Sequence, residues 1–132
     1  MTREPIVPVG LQSAYERFHF APAFRVGETV YVSGVIGRGP DGKVPGDAAD
    51  EFAQAFALLG TVLAAAGATL ADVVDLTSFH CDMPESMAAF MAAKDAAISE
   101  PYPAWTAIGC TALAVPRARV EIKAVAVIRT GT

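Results

Sequence analysis

Charged side chains are scarce in this chain, and positive charge is scarcer than negative. Charged residues make up 18% of the 132 positions, with 10 Lys+Arg against 14 Asp+Glu and a net charge of −4. Because a nucleic-acid surface requires clustered Lys and Arg, this balance argues against nucleic acid as a partner. The hydrophobic content of 53% excludes a disordered chain. The length predicts a single domain over residues 1–132.

Long apolar runs are also absent. The sequence has no stretch of about 18 uninterrupted apolar residues, the length that crosses a membrane, so we expect no membrane span. The first residues show no basic segment followed by an apolar one, which predicts a cytoplasmic protein without a secretory signal. Cysteine is limited to Cys81 and Cys110, which lack metal-ligand spacing and are expected to be buried small hydrophobic residues.

The motifs of several common enzyme classes are missing. The chain contains no Gly-x-Gly-x-x-Gly, no phosphate-loop Gly-Lys-Ser/Thr, no His-Glu-x-x-His and no Gly-x-Ser-x-Gly. This disfavours nucleotide-dependent chemistry, zinc hydrolysis and a lipase-type nucleophile. His19 and His80 share no metal-ligand spacing either. We therefore expect no metal site.

Periodic patterns predict five strands and two helices. The strands are expected at 18–26, 28–36, 73–81, 105–111 and 119–128. One helix is predicted from its cap Asp47 to Gly67, after a Gly- and Pro-rich surface loop at 37–47. The second follows Asp82 and ends before Pro101. This order predicts an α+β fold, a mixed sheet with both helices on one face.

Two local features are expected in the second helix. Glu85 stands three residues after Asp82, which predicts a capping box at the start of the helix. The buried stripe is expected to contain Met87, Phe90, Met91, Ala97 and Ile98.

The face of the sheet without helices is predicted to be too apolar for a monomer. Val125 and Val127 alternate onto the face of Glu121, and Tyr31 and Val35 lie opposite the inner residues of their strand. Burying each of these apolar side chains is worth about 1.5–3 kcal/mol. We therefore predict a closed homo-oligomer packed sheet against sheet.

Three places could carry chemistry, and each has two interpretations. Glu121 on an apolar strand either pairs with Arg119 or Lys123, or faces a cleft where it positions or deprotonates water. Ser33-Gly34 either form a simple bulge or let a ligand approach the backbone. Trp105 either belongs to the core or lines a pocket with its indole N–H free to donate.

Several segments together resemble the RidA/YjgF family of reactive-intermediate deaminases. The segments that carry the resemblance are 30–36, the Gly/Pro loop, the end of the first helix at 64–68, 72–74, 102–107 and 120–126. The resemblance implies a chorismate-mutase-like fold and a homotrimer with small-molecule clefts between subunits. It also implies cofactor-free hydrolysis of enamines and imines, such as 2-aminoacrylate, to 2-keto acids and ammonia.

The resemblance also implies roles for individual residues. The predicted catalytic residue, which holds the attacking water, is Glu121, and the predicted substrate-binding residues are Phe20, Ser33, Gly34, Trp105, Thr106 and Ala107. Ala107 falls where the family often has Cys and contributes mainly backbone polar groups. Phe20 replaces a Tyr, and Trp105 replaces the Arg that clamps the substrate carboxylate.

The missing arginine changes the expected activity. A charge-assisted Arg–carboxylate contact is worth about 1.5–3 kcal/mol, and an indole cannot reproduce it. We therefore expect a hydrolase of imines, enamines or related metabolites that lacks the usual 2-iminobutanoate/2-iminopropanoate deaminase activity and favours a neutral or aromatic ligand. Arg117 or Arg119 could act as a surrogate. The alternative is a non-catalytic trimer that binds a small ligand or a partner.

Overall fold

In the computed structural model, which describes residues 1–129, six strands form one sheet and two long helices cover one face. The strands are β1 Arg3–Ile6, β2 Ala23–Val26, β3 Thr29–Val35, β4 Val73–His80, β5 Ala104–Gly109 and β6 Val120–Val127. The helices are α1 Gln12–Glu16, α2 Ala48–Ala65 and α3 Met83–Ala97, with a single 3-10 turn at Leu70–Asp72. The predicted α+β fold is confirmed.

The sheet has the order β1-β2-β3-β6-β4-β5. Only β4 and β5 run parallel among these described strands, and α3 forms the crossover between them. The last strand, β6, lies in the middle, between β3 and β4. This position brings Glu121 of β6 next to both β3 and β4.

Helix α2 forms as its sequence predicts. The Asp47 carboxylate accepts a hydrogen bond from the Asp50 backbone N–H at 3.2 Å, and Gly67 ends the helix with φ +87°. The helix just reaches the length and mean hydropathy, 1.2, of a membrane span. Its apolar side chains, including Phe52 and Leu59, lie in the core against the sheet. Packing therefore explains its hydropathy.

Helix α3 differs from its prediction in two ways. The Asp82 side chain makes no capping bond, because the residue adopts φ +57° and ψ +45°, so the predicted capping box is wrong. Met91 is exposed, while Lys94 is buried on the same stripe as Phe90 and Ile98.

The N-terminal region holds the largest difference from the predicted elements. Strand β1 and helix α1 have no counterpart in the prediction, and β2 begins at Ala23 rather than at residue 18. The segment from Phe18 to Phe20 is an exposed link after α1, and Pro22 precedes the strand. The short edge strand β1 carries little alternation that a sequence pattern could detect.

The face of the sheet away from the helices carries exposed apolar side chains, as predicted. Tyr31 and Val127 on this face are 51% and 42% exposed. Val35 was expected there but is buried against the helices. The reason is a register shift between Val32 and Val35, which reverses the alternation after the bulge.

Candidate functional site

Glu121 and Gly34 meet where β3 bulges beside β6. Ser33 and Gly34 lie inside the register shift, so the expectation of a bulge is confirmed. A Cβ added to Gly34 would come within 2.6 Å of Glu121 Cδ, closer than atoms can pack. A side chain at residue 34 would force the Glu121 carboxylate to move, so the glycine allows the carboxylate its present position beside the bulge.

Within residues 1–129, the carboxylate of Glu121 is not used in an ion pair. Arg119, one of its two expected partners, instead places Nη1 2.6 Å from Glu51 Oε1, and its backbone N–H donates to Glu51 Oε2 at 2.7 Å. Among the described residues, Lys123 forms no ion pair with Glu121 either. Glu121 is half-buried on the face away from the helices, which leaves its oxygens able to bind water or a ligand.

Ser33 connects this unit to the segment that carries Phe20. The Ser33 hydroxyl donates to the Ala21 carbonyl at 2.6 Å, and its backbone N–H donates to the Pro22 carbonyl at 2.9 Å. Phe20, the residue before Ala21, has a 48% exposed side chain. Four of the predicted site residues, Phe20, Ser33, Gly34 and Glu121, therefore belong to one region of the chain's surface.

Trp105, Thr106 and Ala107 form a second group on the edge strand β5. The register pairs Glu121 with Phe79 and Phe79 with Ile108, so β5 lies two strands away, or about 10 Å. Trp105 pairs with the buried Leu76, which directs its side chain to the helix face. Within one chain, Trp105 and Glu121 thus lie on opposite faces of the sheet.

The indole N–H of Trp105 is already bonded. It donates to Ser78 Oγ at 2.9 Å, and His80 Nε2 lies 2.7 Å from the same oxygen. Phe90 packs beside the indole ring, with centroids 6.0 Å apart. Trp105 is half-buried and packs against the core, and its N–H is bonded within the chain, so the expectation of a free indole N–H is wrong.

His80 is fully buried beneath helix α3. Burial away from water lowers the pKa of His80, so the ring stays neutral. Its Nδ1 has no hydrogen-bond partner among the described residues. His80 orients Ser78 and, through it, Trp105.

Lys94 is a member of this region that the sequence interpretation missed. Its Nζ lies 4.8 Å from the centroid of the Trp105 ring, within the range of a cation–π contact. The spacing contains a signal that could have identified it. Phe90, Lys94 and Ile98 follow one another at intervals of four, so the lysine interrupts the apolar stripe of α3.

A separate, open depression of about 420 Å³ lies beyond the end of β4, lined in part by Cys81 and Arg117. The Sγ atoms of Cys81 and Cys110 are 3.7 Å apart and both residues are half-buried, so the prediction that they are buried small hydrophobic residues is wrong. Burial, together with the hydrogen bond to Cys110, raises the pKa of the Cys81 thiol, which disfavours the nucleophilic thiolate.

No residue predicted for the candidate site lines this depression. Within residues 1–129, no group of three or more His, Cys, Asp or Glu side chains is arranged to hold a metal ion.

Comparison with known proteins identifies the class to which this fold and site belong. A family model described as Endoribonuclease L-PSP matches residues 12–128. A solved structure of protein YJGH superimposes with a TM-score of 0.86 at 36% identity, covering 99% of this chain and all of the other.

Proteins with similar sequences identify the family more closely. The RutC family protein YjgH of Escherichia coli (strain K12) is 39% identical over 113 residues, covering 85% of this chain and 86% of the relative. A 2-iminobutanoate/2-iminopropanoate deaminase of Dermatophagoides farinae is 35% identical, covering 83% and 85%. The chain belongs to the RidA/YjgF family, as the sequence resemblance predicts.

Proposed function

We propose that this protein is a cofactor-free hydrolase of reactive imines or enamines in which Glu121 holds the attacking water. The observation that carries the proposal is the Glu121 carboxylate, which packs against Gly34 and has no ion-pair partner in the part of the chain that the structure describes. A carboxylate with free oxygens can orient a water molecule and accept its proton. A relative 35% identical to this chain is named a deaminase of two imino acids, which supports the same chemistry.

The reaction requires only water and the protein. Water adds its oxygen to the carbon of the protonated imine while Glu121 accepts one proton of that water, and the C=N electron pair moves to nitrogen, which gives a neutral carbinolamine. Glu121 then returns its proton to the departing nitrogen, ammonia leaves, and the hydroxyl group loses its proton to solvent water as the carbonyl forms. The products are a carbonyl compound and ammonia, so neither an oxidant nor a reductant is consumed.

The proposal includes a homotrimer with one ligand cleft at each subunit boundary. Trp105 and Glu121 lie on opposite faces of the sheet of one chain, so a ligand can touch both groups if they come from two copies. The exposed apolar face supports the same arrangement, because Tyr31 and Val127 would be covered by a neighbouring sheet. Residues Phe20, Ser33 and Gly34 would then line one side of the cleft, and 105–107 the other.

Residue 105 sets the expected substrate range. The Trp105 N–H is bonded to Ser78, so this side chain cannot clamp a carboxylate as an arginine does. We expect slow hydrolysis of 2-iminobutanoate and 2-iminopropanoate, and we expect Trp105→Arg to increase the rate with 2-aminoacrylate by about tenfold, the gain that one charge-assisted contact provides.

The test is ammonia and carbonyl release from a panel of charged and neutral imines generated in situ. Glu121→Gln is expected to lower the rate about a hundredfold or more, the contribution of a general base. Glu85→Gln, an exposed change of the same type on α3, should leave the rate intact. No acceleration with any imine, or an unchanged rate in Glu121→Gln, would refute the hydrolase and favour a trimer that only binds its ligand.

A further inference from the structure

We propose that Lys94 supplies the positive charge of the candidate cleft and binds a ligand carboxylate through one oxygen. This inference rests on the proposed function, because it names the chemical class of the ligand at the same site. It assigns the ligand as an anion, whereas the loss of the family arginine at residue 105 alone predicts a neutral one.

The position of Lys94 is the first observation. Its Nζ lies 4.8 Å from the centroid of the Trp105 ring, and the sequence resemblance assigns Trp105 to the position of the family arginine. Helix α3 therefore brings a cation to the start of β5 from a different element of the chain. The contact with the aromatic ring holds the ammonium in place and leaves its N–H groups free to donate.

The bonding of Lys94 is the second observation. The residue is only 8% exposed, yet its ammonium makes no hydrogen bond within the part of the chain that the structure describes. The nearest carboxylate, Asp95 Oδ1, is 3.6 Å away on a side chain that is 63% exposed. Among the described residues, Lys94 Nζ is not one of the fully buried polar atoms without a partner, so the ammonium reaches the surface, where a ligand carboxylate would form a charge-assisted hydrogen bond with it.

Arg117 and Arg119, the two arginines that the sequence suggests as surrogates for the family arginine, are bonded to other groups or lie elsewhere on the chain. Arg119 binds Glu51 and also donates to the Gly46 carbonyl at 2.7 Å, so it cannot turn toward a ligand without breaking these bonds. Arg117 lines the separate depression beyond the end of β4. Lys123 lies on the sheet face of Glu121, away from Trp105, and provides an alternative that experiment can separate.

Replacement of a guanidinium by an ammonium has a chemical consequence. Arginine binds both oxygens of a carboxylate in one plane, whereas lysine is a compact point charge that contacts one oxygen and leaves the plane of the carboxylate free. The ligand should therefore bind as an anion but more weakly than in a site with the arginine. This agrees with slow turnover of small imino acids under the proposed function.

The experiment measures binding without turnover. The probes are 2-oxobutanoate, a product of imino-acid hydrolysis, and its neutral amide, and the signal is the emission of Trp105, the single Trp of the chain. The intact protein should bind the carboxylate at least about tenfold more tightly than the amide, as expected for a hydrogen bond to a charged group. Lys94→Gln and Lys94→Met should abolish this preference, and Lys94→Arg should keep it.

Matched variants complete the test. Lys43→Gln removes the same charge from the exposed loop and should leave the preference unchanged. Lys94→Met retains an apolar stem of similar length and replaces Lys94→Gln in the test if the latter is unstable. Circular dichroism checks that it folds. The proposal is overturned if the intact protein does not prefer the carboxylate, or if Lys94→Gln and Lys94→Met both keep the preference. It is also overturned if Lys123→Gln abolishes the preference.

Failure of the hydrolase proposal would be visible separately. A carboxylate preference that depends on Lys94, combined with no hydrolysis of any imine, would remove the catalytic role of Glu121 and leave the anion site in place. Conversely, imine hydrolysis by a protein whose preference for the carboxylate does not depend on Lys94 would refute only the anion-site proposal.

Discussion

Among single residues, Gly34 is the position that most tightly constrains the candidate site. Its missing side chain makes the space that the Glu121 carboxylate occupies, and the two residues come from strands far apart in the sequence. The conformation of the glycine is not the reason, because its φ lies outside the left-handed region. The constraint is one of volume.

Gly34→Ala is expected to displace the Glu121 carboxylate and to lower imine hydrolysis about a hundredfold, the same order as loss of the general base. The assay is the ammonia-release rate, with thermal melting to verify the fold. Gly46→Ala is the matched control, because a Cβ there meets no atom within 4 Å. Full activity in Gly34→Ala would show that Glu121 does not need its present position.

Among the secondary-structure elements, the Glu51–Arg119 ion pair joins helix α2 to the start of β6. Glu51 is fully buried, and its two oxygens accept the Arg119 guanidinium and the Arg119 backbone N–H. The same guanidinium donates to the Gly46 carbonyl, which ties down the end of the Gly- and Pro-rich loop. This pair therefore fixes the strand that carries Glu121, two residues further along.

Arg119→Ala should lower the free energy of unfolding by about 3–5 kcal/mol, because it leaves a buried carboxylate without its cation. Arg129→Ala is the comparison. Arg129 also binds an acidic residue, Asp72, but its side chain is 72% exposed, and we expect a loss of about 1 kcal/mol or less. Denaturant unfolding at a fixed protein concentration measures both. A loss in Arg119→Ala no larger than that in Arg129→Ala would contradict the anchoring role.

For the whole molecule, the sheet face without helices is the feature that calls for a partner. The helices bury most of one face, while Tyr31, Val127 and Ile108 remain exposed on the other. A second and third copy of the same sheet provide apolar surfaces of matching composition. The proposed clefts would form at the same boundaries.

Sedimentation at micromolar concentration should give about three times the 13.7 kDa mass of one chain. Tyr31→Lys should dissociate the assembly, since it would bury a charge between sheets. Val9→Lys, at a fully exposed position before α1, should not. A monomeric native protein would contradict both the trimer and the cleft between subunits.

Much of the fold and part of the site could be predicted from the sequence. The interval of three or four between apolar residues defined α2, and strict alternation in 119–128 put Glu121 on the face opposite Ile122. These patterns are local, so neighbouring residues along the chain contain the whole signal. The family followed from motifs that occur in a fixed order, and this too needs no three-dimensional information.

Only the tertiary structure decided which distant side chains meet. The bulge at Ser33-Gly34 moved Val35 to the inner face, because a one-residue shift of register reverses every later side chain. The partner of Arg119 proved to be Glu51, a residue 68 positions away. The sequence by itself determined the family and the layers, because local patterns and motif order contain that signal, whereas packing of α3 on the sheet decided that Lys94 stands beside Trp105.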